Sequence, residues 1–218
     1  KSVFNQTFIP QEIIVVDNSS NDKTYQMIEK RFNQIRYIYL EDIGVSKARN
    51  IGLKNASNEL ICFLDSDDEW NPRKIEKQLL FFDKNTDCKF LHTNEVWYRN
   101  GYHLNQLKKH TKQGGYIFEN CLRMCCISPS SVMIHRSIFD NYGIFDENLS
   151  VCEDYDMWLR ISSKEKIYFL KDQLVIKHGG HNDQLSKQYW GMDRFRVYSI
   201  EKSLKLNEFS KEQKNIAI

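Results

Sequence analysis

The chain has 218 residues, enough for one sizeable domain or two tightly fused halves around a real apolar core. Its 31 Lys and Arg against 29 Asp and Glu leave a net charge of +2, which excludes a global field for gripping nucleic acid or an anionic membrane and leaves any anion affinity to local clusters. The longest apolar runs, residues 13–16 and 60–64, are far too short to cross a bilayer or to form a signal-peptide core, and six cysteines without a CxxC pair read as reduced thiols, so the sequence predicts a soluble, cytoplasmic protein.

In chain order, residues 12–17 form a β-branched run that ends in a carboxylate and a turn-rich stretch, the pattern of a buried parallel strand. Tyr25, Ile28, Phe32 and Ile35 fall at helical spacing over 24–35, and 36–40 reads as a second strand. Residues 45–55 read as a helix after the Gly44 turn, 60–64 as a third apolar strand ending in acid, and Pro72 opens a helix to about Asp83. Strands alternating with helices predict an α/β sheet. Residues 90–98 are strand-like. The acid-free, basic stretch from Val96 to Phe118 carries Arg99, Lys108, Lys109 and Lys112, and reads either as a solvated surface loop or as a flap over an anionic ligand. Residues 131–134 then read as a strand, 137–142 as a short helix, 153–163 as an amphipathic helix, 167–176 as one or two strands, and 192–206 as a closing helix. Cys121 and Cys125, four apart, would share a helical face as small buried hydrophobes.

Asp65, Asp67, Asp68 and Glu69 place four acids within five positions directly after a buried strand. In open α/β sheets ligands lie beyond the carboxyl ends of strands, and carboxylate oxygens suit Mg²⁺ or Mn²⁺ shared with phosphate oxygens. The alternative is a helix N-terminus, where the same acids would face the dipole of the helix after Pro72.

With Trp70 and Pro72 added, this segment resembles the FLDxDDxWxP stretch of glycosyltransferase family two, the inverting GT-A enzymes. Residues 2–8 (SVFNQTF) resemble the family's SVLNQT(F/Y), 12–24 its EIIVVDDGSxDxT, 44–52 its GxxxARNxG and 153–160 its ED-x-D-x-WLR, while His178 with Ser186 resembles its closing H-and-S stretch. The resemblance implies a GT-A fold, a mixed, mostly parallel sheet flanked by helices in a single domain. In it, about 1–98 carries the nucleotide-sugar and metal, about 99–190 the acceptor, and about 191–218 a C-terminal helix. It implies that Asp65 contacts the donor ribose, that Asp67, with His178, holds a Mn²⁺ or Mg²⁺ ion at the diphosphate, and that Asp17 and Asn18 read the base. Asn18 stands where the family has a second acid. Arg49 becomes a second cation near the phosphates, its alternative being a surface arginine. Asp154 becomes the general base, and Glu153 and Trp158 acceptor contacts, although Trp158 and Leu159 also read as core and Glu153 and Asp154 as helix N-terminal acids. Arg160 would anchor its helix to the acidic site.

The expected partners are a nucleotide-diphosphate sugar and a glycan, lipid-linked or other hydroxyl acceptor, with no nucleic acid and at most peripheral contact with the inner face of a membrane. The QxxRW motif of processive synthases is absent, which favours single-sugar transfer. The family's first strand would precede Ser2, so an upstream segment is expected. Two other readings stay open: a haloacid-dehalogenase-like phosphatase, whose strand also ends in DxD, and an inactive sugar- or nucleotide-binding fragment.

Overall fold

The computed structural model describes residues 1–180 and 189–218. Strand β1 (Ile14–Asn18) is followed by helix α1 (Thr24–Arg31), strand β2 (Arg36–Leu40) and helix α2 (Val45–Asn55). Short strands β3 (Leu60–Ile61) and β4 (Glu69–Trp70) flank the acidic turn and lead to α3 (Lys74–Lys84). The long strand β5 (Phe90–Arg99) turns back into β6 (Tyr102–Leu104), after which come α4 (Phe118–Arg123), β7 (Met133–His135), α5 (Ser137–Tyr142), α6 (Glu153–Ser162) and β8 (Tyr168–Gly179). Two helices close the chain, α7 (Met192–Lys205) and α8 (Lys211–Ala217), where the sequence predicts one. The extra helix starts at a capping box in which Ser210 and Gln213 satisfy each other's backbone N–H.

The fold is the mixed α/β class read from the sequence. β1 and β2 form one parallel pair, and a six-stranded sheet runs β3-β7-β5-β8-β4 with β6 on β5. The two parallel ladders, β1 with β2 and β5 with β8, are the longest; β3, β4, β6 and β7 add short antiparallel pairings. The predicted strand over 60–64 makes a ladder only at Leu60 and Ile61. Beyond it, the Asp65 amide donates to the hydroxyl of Ser130 at 3.0 Å, so a side chain takes over where a neighbouring strand would have paired.

The larger core gathers Phe90, Ile134, Phe145, Tyr155, Trp158 and Ile161 between the sheet and α6; a smaller one gathers Trp70, Ile75, Met133 and Val175 on α3's side. α2 presents a polar face at helical spacing to the chain ahead of α6. Ser46 Oγ donates to the Leu149 carbonyl at 3.1 Å, and Asn50 clamps Phe145 from both sides, donating to its carbonyl at 2.9 Å and accepting from its amide at 3.0 Å. Buried polar groups paired this way fix one register between α2 and the loop before α6.

His92 lies inside β5 at 1 % exposure, its Nε2 within 3.0 Å of the Gln113 carbonyl and its Nδ1 without a partner among the described residues. Burial, and then the charge of Lys112, push its pKa down to about 3. The unfolded chain therefore takes up this proton first as pH falls below the ordinary histidine value, and stability drops over that window. The expected loss attributable to His92 between about pH 7 and pH 4.5 is roughly 2 to 3 kcal/mol, and urea titrations at both pH values should show that share missing in His92→Gln.

Candidate active site

α6 is entered through Cys152, which holds a left-handed conformation (φ 62°, ψ 21°) that is costly for a residue with a Cβ. This turn delivers Glu153, Asp154 and Asp156 into the first helical turn, where the helix dipole favours acids. Asp154 accepts on both oxygens, from its neighbour's amide at Tyr155 (2.7 Å) and from the thiol of Cys125 (3.1 Å). Both donors orient the carboxylate.

Asp154 and Asp65 line the same cavity, of about 450 Å³, together with Glu95, Trp97, Lys112, Lys177 and His178. Arg49 connects the two acids' surroundings from α2: one guanidinium nitrogen donates to Asp65 Oδ1 at 2.7 Å, and the other to Glu153. Burial opposes its charge, but Asp65, Glu153 and Asp154 outweigh that and hold Arg49 above its ordinary range. Glu153 is 6 % exposed. Burial and the charge of Asp154 push its pKa up to about 7 against the pull of Arg49, as expected where three acids share one cation. Arg49 is thus a half-buried crosslink between the acids, in place of the surface arginine that was its alternative.

Ser130, fully buried, organises the acidic turn. Besides accepting from the Asp65 amide, it donates to Asp68 Oδ2 at 2.7 Å, and its carbonyl takes the indole N–H of Trp70 at 2.8 Å. Asp68 is also paired with Lys177 at 3.3 Å, and burial pushes its pKa up to about 6. Across the cavity, Glu95 is buried among Lys112 (3.3 Å), the Trp97 indole (2.8 Å) and the hydroxyl of Ser128.

Some residues fall elsewhere than the sequence places them. Trp158 is 1 % exposed, with ring contacts to Phe90 and Phe145 and its indole N–H on the Ile127 carbonyl at 3.0 Å; it supports the cavity wall from beneath and does not reach the cavity. Arg160 anchors α6 to the 142–144 loop, through the carbonyls of Tyr142 and Ile144, and not to the acidic site. Asp17 and Asn18 end β1 outside the cavity lining: Asp17 accepts from Tyr37 and the Ser20 amide, and Asn18 from the Gly44 amide at 2.9 Å. His178 lines the cavity and meets Glu69 at 3.0 Å, whereas Asp67 is not among the lining residues. Among the described residues, no three His, Cys, Asp or Glu side chains converge in metal-ligand positions. Ser186 lies outside the described residues.

The basic stretch is more built than a free loop. Its first residues extend β5, and its end is bridged to Ile167 through Gly115, in a left-handed conformation (φ 102°). A Cβ on Gly114 would come within 2.9 Å of the Ile167 carbonyl, so only glycine lets the chain approach so closely. Of its lysines, Lys112 faces the cavity and Lys108 and Lys109 do not. The sequence reading missed Glu95, Trp97, Cys125 and Lys177. The available signal was charge inside apolar strands, in His92 and Glu95 and again in Lys177. Helix α4 stops at Arg123, so Cys125 leaves the helical face it was expected to share and turns to Asp154.

The family model for glycosyl transferase family 2 matches residues 1–143. The chain is 32 % identical over 210 residues to an uncharacterized glycosyltransferase of Rickettsia conorii, covering 91 % of this chain and 33 % of that one. It is 32 % identical over 170 residues to the UDP-Glc:alpha-D-GlcNAc-diphosphoundecaprenol beta-1,3-glucosyltransferase WfaP of Escherichia coli, covering 75 % of this chain and 63 % of that one. The fold is similar to that of S. aureus TarS 1-349 in complex with UDP-GlcNAc (TM-score 0.76, 24 % identity, 99 % of this chain and 63 % of that one). The chain spans about a third of the length of the first curated relatives it matches.

Proposed function

The chain belongs to glycosyl transferase family 2, and from that premise we propose that it transfers a single sugar from a nucleotide-diphosphate donor to an acceptor hydroxyl, with inversion at the sugar carbon. The observation that carries this reading is the shared cavity: Asp65 at the strand tip and Asp154 at the start of α6 open into one space. A donor held on the Asp65 side would present its sugar carbon toward Asp154. Asp154 then takes the proton of the acceptor hydroxyl as that oxygen attacks from the face opposite the departing diphosphate. Glu153 positions the acceptor side through Arg49. Residues of about 1–98 form the donor half, about 99–190 the acceptor half, and about 191–218 the C-terminal helical segment. Asp17 and Asn18 read the base, and the uridine donor named for the E. coli relative makes UDP-sugars the first donors to try.

A divalent ion, Mn²⁺ or Mg²⁺, fits the chemistry of the donor set. The carboxylates of Asp65 and Asp67 are hard oxygen ligands, one or two of which suffice when water and phosphate oxygens fill the remaining positions. Asp67 would hold the ion, with His178 as a further ligand. Such an ion, when bound, offsets charge on the leaving diphosphate. The lipid-linked acceptor in the name of the E. coli relative supports a lipid-linked or glycan acceptor; surface polysaccharide synthesis at the cytoplasmic face of a membrane is the setting we propose for it. Among the described residues no helix is long and apolar enough to cross a membrane.

The test is sugar transfer or donor hydrolysis across a nucleotide-sugar panel with Mn²⁺ or Mg²⁺. EDTA is expected to abolish turnover and added Mn²⁺ to restore it, while Asp67→Asn should lose about 10²-fold or more in kcat. Turnover indifferent to chelator would remove the metal from the reading, and phosphatase activity without nucleotide-sugar turnover would replace the reading altogether.

A further inference from the structure

Three cysteines meet at the wall of the cavity. All six cysteines of the chain are free. Cys121, at 2 % exposure on α4, has its sulfur 3.5 Å from that of Cys126, five residues on in the loop that forms one side of the cavity. Cys125, between them, gives its S–H to Asp154 at 3.1 Å. The two paired sulfurs need to approach by roughly 1.5 Å to reach disulfide length, a shift within reach of side-chain rotation and a small loop movement.

We propose that Cys126 and Cys121 form a peroxide-sensitive dithiol, Cys126 being the sulfur oxidised first and Cys121 the resolving one. Cys126 opens to the cavity and is partly exposed, while Cys121 is buried behind it, so access selects the first step. The S–H of Cys121 lowers the Cys126 thiol against its burial, and Lys112 adds to that. Cys125 is held as a thiol, raised by burial and by the charge of Asp154.

The chemistry balances with hydrogen peroxide as oxidant. The Cys126 thiolate attacks one peroxide oxygen, the O–O bond breaks, and hydroxide leaves with the proton the thiol released, as water. The resulting sulfenic acid is attacked by Cys121; an S–S bond forms, the S–O bond breaks, and the second water carries off the remaining proton. Two thiols are oxidised and one peroxide is reduced to two waters. Because 124–129 carries Cys126 and is also a wall of the cavity, drawing Cys126 onto Cys121 of α4 shifts the surface that faces Asp154.

The chemical step stands without the transferase reading; its effect on activity rests on that reading. The native protein is exposed to a small molar excess of hydrogen peroxide, free thiols are blocked with iodoacetamide, and peptides are mapped by mass spectrometry. The expected product has lost two hydrogens and is cross-linked between Cys121 and Cys126, and dithiothreitol restores it. Loss of free thiol should be about tenfold slower in Cys126→Ser. Cys121→Ser and Cys121→Ala should both stop at a sulfenic acid that dimedone labels at Cys126. Oxidation mapped first to Cys125 or Cys62, or no faster loss of thiol at Cys126 than in the denatured chain, would overturn the proposal. Where transfer is measurable, the disulfide form should lose about tenfold or more, reversibly. A cross-link formed in a protein without transfer activity would defeat the proposed function and leave the dithiol standing, whereas full activity in the cross-linked form would overturn its effect on the site.

Discussion

Replacing Asp154 by Asn is expected to lower the rate of sugar transfer by about 10² to 10⁴-fold while leaving the fold and donor binding in place. The amide keeps the shape of the carboxylate, and its oxygen can still accept from the Tyr155 amide. It cannot take a proton from an attacking hydroxyl. The comparison to make is kcat with a saturating donor against donor Kd from titration: kcat should fall and Kd should hold within a few-fold. A variant with full kcat would remove Asp154 from the reaction, and a loss confined to donor affinity would move it to the donor side of the cavity. Substitution of the positioning donor, Cys125→Ala, serves as an internal reference, because it keeps the base and removes only one of its two hydrogen-bond donors.

The largest stability effect is expected at Arg49. Arg49→Met should destabilise the chain by about 3 to 5 kcal/mol at slightly alkaline pH, since the change strands Glu153 in a site almost closed to water and cuts its tie to Asp65. The effect should depend on pH in a defined direction. Glu153 already titrates near neutrality, its pKa raised by burial and by Asp154, and removing the guanidinium raises it further. Below the ordinary glutamate range the group is protonated in both folded and unfolded chains and contributes no penalty. As pH climbs from the ordinary glutamate range to the raised value, the folded state keeps a proton that the unfolded chain releases, so stability falls; above the raised value both states are ionised and the loss is complete, and because the variant's value is raised further it goes on losing stability after the wild type has levelled off. Urea unfolding of wild type and Arg49→Met at acidic and alkaline pH should show the gap widening upward, and Glu153→Gln in the Arg49→Met background should recover part of it. Asp65, which retains more exposure than Glu153, can be rescued by solvent and contributes less to the loss. Arg49→Lys is not a mild substitute, because one ammonium cannot reach two carboxylates in the fork geometry of the guanidinium.

The parts of this architecture that the sequence announces are those written in local pattern. The helices α2, α3, α5 and α6 fall where apolar spacing and Pro72 place them, and the acids at 65–69 stand where the apolar run of 60–64 ends. What local pattern cannot carry is pairing at a distance. β3 pairs over only two residues, and past its end the Asp65 amide goes to a serine far along the chain. β6, α4 and α8 are too short to show a period, and the hairpin of β5 with β6 hides inside a polar stretch. The site divides in the same way. Asp65, Asp154, Arg49 and His178 could be named in advance, whereas Glu95, Lys112, Lys177 and Cys125 acquire meaning only from partners in other segments. Trp158 shows the converse: the motif names it, but the core claims its ring, and only its support of Ile127 touches the cavity.

The serine at position 130 has one proton to give, and it gives it to Asp68. Its lone pairs are then turned back toward the Asp65 amide, which fixes the polarity of the relay from backbone to hydroxyl to carboxylate. Anionic Asp68 strengthens that hold by polarising the hydroxyl; neutral Asp68 slackens it. The grip on the Asp65 backbone is therefore tuned by an acid that lies outside the cavity lining, and the Asp65 turn is stiffest when Asp68 carries its charge.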